Sequence, residues 1–276
     1  MLGWLLLTVG VAGFGWAGFS DLRTTEFRDE IPYALITAAL VIRGLAAIFT
    51  NDVSIFLNSL VYGILFLGFG ILLYHLNQWG DGDAWLLGAL GFLFPDPAGF
   101  SFNSVLPFPL ALIFNFLFIS FAYLIVYSIA VGVTSGVGGA FFHELKGGGR
   151  GIFGATLVFA LVIFGAVAYL LKNGLMTPEL SLFWPLLASP FLLFGMLVFV
   201  RYGRFIETRV FRKRIPVSKL KVGDVPVNQK WKVMTRSEFR MLKSRGGSVW
   251  IKEGVRFAPV FIITLVITLF YGALFI

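Results

Sequence analysis

A chain of 276 residues that is 58% hydrophobic and only 13% charged, with a mean hydropathy of +0.89, is not a soluble globular protein, because it would expose more apolar surface than water tolerates. The net charge is +8, and the absence of cysteine excludes disulfides, cysteine-zinc sites and thiol nucleophiles. Its two histidines, His75 and His143, argue against a multi-histidine metal site or a Ser-His triad. Composition therefore predicts a membrane protein.

Apolar runs predict eight transmembrane helices, since about 20 apolar residues cross a hydrocarbon core of roughly 30 Å. In chain order the runs are 2–20, 31–50, 54–76, 84–95, 105–131, 151–171, 180–200 and 257–275. The fourth run is short and the fifth is long, so six or seven spans are also compatible with the sequence. The first run is predicted to be a helix of the mature protein, because no Lys or Arg precedes it as in a secretory signal peptide.

Basic residues predict the orientation. They follow the first and the fifth runs, and sixteen of the 22 lie between positions 201 and 256. With eight spans all of these fall on one side, which the positive-inside rule makes cytoplasmic. The N-terminus is therefore predicted to lie outside.

The chain divides into a membrane helical core at 1–201, a basic cytoplasmic domain at 202–255 and a last transmembrane helix at 256–276. The middle part contains the strand-like pieces "RIPVSKLKVGDVPV" and "GSVWIKEG" around the predicted helix "TRSEFRMLKSR". The predicted fold class is an all-α polytopic membrane protein with a small basic α+β cytoplasmic domain before the last helix. The positive charge of the 202–255 domain suits anionic lipid headgroups. This domain has no recognisable nucleic-acid-binding motif, and nucleic acid is not an expected partner.

Acidic residues are the chemistry that remains. Asp21 closes the first span and Asp83 opens the fourth, so both are predicted to lie at the cytoplasmic face. Acids next to apolar runs suggest function, yet each has an ordinary alternative: an ion pair with Arg23 for Asp21, and a helix N-cap for Asp83. The acids predicted to lie in outer loops, and to be solvated there, are Asp52, Asp96 and Glu179.

Two motifs carry a resemblance to a known family. "SDLRTTEFRDEIP" at 20–32 and "WGDGDAWLLGALG" at 79–91 resemble the type IV prepilin peptidases and archaeal preflagellin peptidases, which are G-x-G-D membrane aspartyl proteases. Their shared pattern is D-x-[KR]-x-x…IP after the first helix and G-x-G-D at the start of a later one. "IPVSKLKVGDVPV" and "IKEGVRFAPVFI" resemble the C-terminal segment of the archaeal branch. The tetracysteine segment of the bifunctional bacterial enzymes is missing, which implies the archaeal type without N-methyltransferase activity.

The resemblance implies that Asp21 and Asp83 are the catalytic dyad. An aspartyl protease needs two carboxyl groups close enough to share one proton, so that one acts as base and the other as acid, and it needs no metal or organic cofactor. Gly80 and Gly82 would leave space for the backbone of an extended substrate. Asp81, between them, is predicted to be a solvated loop acid.

The substrates that the resemblance implies are prepilins or prearchaellins, cleaved at the cytoplasmic face of the cell membrane. Their short basic leader would need negative charge, and four acids lie on the predicted cytoplasmic side: Glu26, Asp29, Glu30 and Glu144. Ordinary solvation is the alternative for each of them. The sequence does not distinguish a pilin substrate from an archaellin.

Two other classes of protein compete with a protease. In a proton- or cation-coupled transporter or channel, Asp21 and Asp83 would form a relay. Against this reading, both acids are predicted at one face, and the chain shows no two halves with matching interrupted helices. A membrane scaffold that docks partners on its basic domain is the third reading.

Several residues within the apolar runs have simple structural interpretations. Gly63, Gly68 and Gly70 are predicted to make close helix contacts in lipid. Arg43 is predicted to snorkel outward to the headgroups. Pro259 is explained as a first-turn proline of the last helix.

The eight-span topology makes a testable prediction. A tag at either terminus should be reachable from outside the cell, and a tag within 215–250 only from the cytoplasm, as measured by labelling with an impermeant reagent before and after permeabilisation. A C-terminal tag that is protected in intact cells would contradict eight spans.

Overall fold

A computed structural model of the protein describes residues 2–76, 78–102, 104–178, 183–220, 225–226, 234 and 236–274. Its helices are α1 Leu2–Thr24, α2 Glu30–Thr50, α3 Ser54–His75, α4 Asp81–Leu93, α5 Phe108–Thr134, α6 Gly138–Gly148, α7 Arg150–Lys172, α8 Phe183–Arg209, α9 Arg236–Arg245 and α10 Pro259–Tyr271. Its strands are β1 Arg212–Pro216, β2 Val225–Pro226 and β3 Ser248–Lys252, with one 3₁₀ turn at Val217–Lys219.

Six of the described helices are long and apolar enough to cross a membrane, namely α1, α2, α3, α5, α7 and α8. The prediction of an all-α polytopic membrane protein with a small α+β part is thereby confirmed. The fourth and eighth apolar runs form α4 and α10, which have 13 residues each. At 1.5 Å per residue such a helix is about 20 Å long, shorter than a hydrocarbon core. The short helix α6 was not predicted.

The chain forms two compact units, residues 1–124 with 215–276, and residues 125–214. In the first unit the central element is α4, where Ala84 and every residue from 86 to 93 are buried. It packs against α2 and α3 and also contacts α1 and α10. Its sequence explains this position, because beyond Asp83 it consists of apolar and small residues on all sides.

Glycines let α3 approach α4 closely. A methyl group at Gly63 would meet the ring of Phe92, and one at Gly70 would lie 2.8 Å from the backbone Cα and O of Ala84. The predicted close contacts are therefore found at these two glycines. They are absent at Gly68, where a methyl group would have no atom of the described residues within 4 Å.

Arg43 is buried, and the prediction that it snorkels outward is wrong. Its side chain is 1% exposed, and it donates to the Leu93 carbonyl from Nε at 3.1 Å and from Nη2 at 2.9 Å. Nη1 forms an ion pair with Asp96 at 2.7 Å. The physical reason is that α4 ends inside the protein, where its last carbonyls need donors.

Among the three acids predicted to be solvated, Asp96 therefore differs, because it is engaged by Arg43. Asp52 is exposed as predicted and accepts hydrogen bonds from the Ser54 backbone at 3.0 Å and hydroxyl at 2.6 Å. Glu179 lies outside the described residues.

Helix α10 packs against α1 along a line of small and apolar residues. A methyl group at Gly18 would lie 3.2 Å from the Cα of Pro259, and Phe14 stacks on Phe261 with ring centroids 6.0 Å apart. At the other end of α10, Asn115 of α5 donates to the Thr268 hydroxyl at 3.0 Å. These contacts attach the last helix to both α1 and α5.

The α+β part contains a three-stranded sheet in the order β1-β3-β2, in which β2 runs antiparallel to β3. The predicted strand-like and helical pieces correspond to β1, β2, β3 and α9. A small core holds them together, formed by Val217, Leu220, Met234 and Ile251, with Phe239 and Leu242 of α9 packed against it. The predicted limits of the cytoplasmic domain, 202 and 255, stay a prediction.

The second unit contains α6, α7, α8 and the end of α5. Phe141 of α6 packs with Phe205 and Ile206 of α8 in a small buried cluster. The Arg201 guanidinium donates to the Gly148 carbonyl at 2.7 Å, which joins the end of α6 to α8. Most of the surface of α7 and α8 is exposed, and it is apolar, as lipid requires.

The contact between α3 and α4 yields a prediction with a matched control. Gly70→Ala should lower the thermal unfolding midpoint in detergent, because its methyl group would meet rigid backbone and overpacking costs about 1–3 kcal/mol. Gly68→Ala, two residues away on the same helix, should leave the midpoint unchanged or raise it slightly. Equal midpoints for the two variants would contradict the packing described here.

Candidate active site

Asp21 and Asp83 lie at the facing ends of two helices, Asp21 in the last turns of α1 and Asp83 in the first turn of α4. They are close enough that the charge of Asp21 acts on the Asp83 carboxyl group. Two like charges near an apolar interior repel each other, and one proton between them relieves the repulsion. The two acids can therefore divide the roles of acid and base.

Asp21 is held by the backbone that precedes α10. Its side chain is 5% exposed, and its Oδ2 accepts a hydrogen bond from the Ala258 N–H at 2.9 Å. The Phe257 backbone and the Arg256 guanidinium lie close enough to favour its charged form. A buried carboxylate needs such donors, and the start of a helix supplies free N–H groups and the positive end of its dipole.

Arg23 does not form the ion pair with Asp21 that was the ordinary alternative for this acid. Its guanidinium lies over the ring of Phe19, 4.7 Å from the centroid, whereas the Asp21 carboxylate faces the backbone at Ala258. The ordinary explanation of Asp21 as a surface ion pair is therefore not what the structure shows.

Asp83 combines a helix-start position with proximity to Asp21. Gly80 is the N-cap residue of α4, and its backbone lies beside the Asp83 carboxylate, which occupies the position that a capping box uses. Asp83 is partly exposed, and Asp81 is exposed as predicted. The position of Asp83 is therefore compatible both with capping of α4 and with a catalytic role.

The two motif glycines are places of close approach. A methyl group at Gly80 would lie 3.2 Å from Asp83 Oδ2, and one at Gly82 would lie 2.7 Å from the ring of Phe27. Phe27 belongs to the connection between α1 and α2, so this connection lies over the G-x-G-D motif. A side chain at either position would therefore crowd the Asp83 carboxylate or the Phe27 ring.

Sequence reasoning missed three aromatic residues next to the pair. Trp79, directly before Gly80, packs against Phe116 and Phe257 with ring centroids 5.4 and 5.5 Å apart. Tyr123 of α5 donates from its hydroxyl to the Arg256 carbonyl at 2.6 Å. Trp79 adjoins a motif, but no local signal indicates that Phe257 packs on it or that Tyr123 binds the segment before α10, because these contacts join distant parts of the chain.

The predicted leader-binding acids are exposed and lie in different places. Glu26 and Asp29 belong to the connection that follows α1, and Glu30 begins α2 and pairs with Arg28 at 3.2 Å. Glu144 lies on α6 in the second unit. Among the residues that the structure describes, no three histidine or acidic side chains come together as a metal site would require.

Comparison with known proteins agrees with the motifs. Residues 8–129 match the type IV leader peptidase family, a stretch that includes both Asp21 and Asp83. A curated relative, the prepilin peptidase EppA of Methanothermobacter thermautotrophicus, is 25% identical over 164 residues, which are 55% of this chain. The match spans 41% of that relative's length. No solved structure matches the chain. The part of the chain that carries both motifs, residues 8–129, is therefore similar to the type IV leader peptidase family.

Proposed function

We propose that the protein is a membrane-embedded aspartyl endopeptidase that removes the short basic leader from prepilins or prearchaellins at the cytoplasmic membrane face. The observation that carries this proposal is the pairing of Asp21 with Asp83, in which a buried carboxylate acts on a second carboxyl group at the start of α4. The match of residues 8–129 to the type IV leader peptidase family supports the reaction class.

The chemistry follows from the pair. One carboxylate accepts a proton from a water molecule, which attacks the scissile carbonyl, while the protonated carboxyl group donates a hydrogen bond to the carbonyl oxygen. The tetrahedral intermediate then collapses, and a proton passes to the departing amine nitrogen. The pair ends the cycle with one proton, as it began, so the reaction requires neither a metal ion nor an organic cofactor.

The surroundings of the pair suit the proposed substrate. The exposed acids Glu26 and Asp29 lie on the connection directly after Asp21, where they would attract a basic leader while an apolar segment stays in the bilayer. We assign residues 202–255 to the cytoplasmic side. Their basic residues would lie against anionic headgroups, at about 1 kcal/mol for each Lys or Arg near the surface.

Replacing either carboxyl group should abolish cleavage. Asp21→Asn and Asp83→Asn keep the size of the side chain but cannot exchange the proton, so each should reduce leader removal by about 100-fold or more. The double variant should be hardly slower than either single one, because acid and base act as one unit. Cleavage is measured as the mobility shift of a purified prepilin or prearchaellin on incubation with the protein.

Asp81→Asn is the matched control for that experiment, since Asp81 is an exposed acid in the same turn. It should cleave at the rate of the parent protein. Full activity in Asp83→Asn, or loss confined to Asp81→Asn, would contradict the assignment. A proton or cation current that the two essential substitutions abolish, in a parent protein without cleavage, would favour a transporter.

Leader recognition should depend on the acids after α1. Combined Glu26→Gln and Asp29→Asn should raise KM about two- to fivefold with kcat unchanged, because exposed ion pairs contribute about 0.2–1 kcal/mol each. The effect should shrink at high salt and for a substrate whose leader lysines and arginines are replaced by glutamine. Asp52→Asn, which removes an exposed acid elsewhere, is the control, and an equal rise in KM for it would reject the proposal.

A further inference from the structure

Phe257 contacts the surroundings of both candidate catalytic acids. It directly precedes Ala258, whose backbone N–H donates to the Asp21 carboxylate at 2.9 Å. Its side chain is 8% exposed, and its ring centroid lies 5.5 Å from that of Trp79, which directly precedes Gly80 and the turn that carries Asp83. One residue therefore joins the Asp21 backbone donors to the G-x-G-D turn.

The ring of Phe257 lies within an aromatic cluster, here Trp79, Phe116, Tyr123, Phe257 and Phe261. Its centroid is 6.2 Å from that of Phe116, 6.5 Å from that of Tyr123 and 6.1 Å from that of Phe261, all near edge-to-face. Such pairs prefer defined orientations, so the ring has little freedom to move without disturbing its neighbours.

The backbone on which Phe257 lies is also fixed from two other sides. The Tyr123 hydroxyl donates to the Arg256 carbonyl at 2.6 Å, which attaches the 256–259 segment to α5. On the opposite side, Pro259 packs on Gly18 of α1, one turn before Asp21. The 256–259 segment is thus held between α1 and α5. The Phe257 ring connects this segment to the loop before α4 through its contact with Trp79.

We propose that Phe257 is a positioning residue, which fixes the separation of the Asp21 and Asp83 carboxyl groups by linking the 256–259 segment to Trp79. This role rests on the proposed peptidase function. Phe257 itself lies outside residues 8–129, the region that matches the leader peptidase family.

A positioning role has a specific kinetic consequence. Two carboxyl groups share a proton and activate one water only within a narrow range of separations, and a misplacement of about 1 Å costs on the order of 100-fold in rate. Substrate binding along exposed loops does not depend on that separation. Loss of the link should therefore lower kcat and leave KM nearly unchanged.

The experiment measures kcat and KM for cleavage of a purified prepilin-type substrate, at a temperature where every variant remains folded. Phe257→Ala should lower kcat about tenfold or more with KM within about twofold. Phe257→Tyr, which keeps the ring, should recover most of the rate. Tyr123→Phe, which removes only the hydroxyl that binds the Arg256 carbonyl, should lower kcat by a smaller factor.

Two further variants separate positioning from general damage. Leu265→Ala removes a fully buried side chain from α10, the helix that follows Phe257, at a contact with Gly10 rather than with the aromatic cluster, and should leave kcat within about twofold of the parent. Trp79→Ala combined with Phe257→Ala should be no slower than the slower single variant, because both remove the same link.

The outcomes distinguish this role from the proposed function. If the folded parent protein does not cleave, the proposed function and the role of Phe257 are rejected together. If the parent cleaves, the positioning role is overturned by a Phe257→Ala kcat like that of Leu265→Ala, by a rise in KM alone, or by additive losses in the double variant. The peptidase function would stand in each of those three cases.

Discussion

A carboxylate in an apolar interior must be hydrogen-bonded, and the way in which Asp21 meets this requirement determines much of the first unit. Its donors are backbone N–H groups at the start of α10, which have no partner within that helix. The bond joins residue 21 to residue 258, so the first and last helices of the unit have to meet at this depth. The packing of Gly18 on Pro259 allows that approach, because a glycine leaves room for the proline ring.

The same requirement applies to α4, whose C-terminal end lies within the protein. At its exposed start, the Gly80 backbone lies beside the Asp83 carboxylate. At its end, the buried Arg43 guanidinium binds the Leu93 carbonyl and also pairs with Asp96. A 13-residue helix can thus lie largely buried among longer ones, with the carbonyl at its buried end satisfied.

Much of this arrangement could be predicted from the sequence. Apolar runs of sufficient length predicted the long helices, because lipid leaves the backbone few alternatives to a helix. The two motifs indicated the family that residues 8–129 match. The location of Asp21 and Asp83 on one side of the membrane, which rests on counting spans, stays a prediction. The strand-like pieces before the last helix were also recognised, because their turn residues and alternation are local signals.

The errors have a common cause. Arg43 was expected to reach outward and Asp96 to be solvated, and Gly68 was expected to contact a neighbouring helix. Each expectation concerned the direction in which a side chain or a helix face points, and that direction depends on neighbours that are distant in sequence. For Gly68 and Gly70 the local sequences are alike, and only the position of α4 beside α3 makes one of them a contact.

The sequence by itself determined that the chain is a membrane protein of long apolar helices, because this follows from composition and periodicity along a single chain. The orientation and the catalytic role of the two acids stay predictions. The tertiary structure decided what the acids touch: the 256–259 segment beside Asp21, the Gly80 backbone beside Asp83, and the aromatic contact of Phe257 with Trp79 between them. Those contacts join residues far apart in the chain. They form only when the helices pack, since buried polar groups and aromatic rings take whichever partners the packing brings within reach.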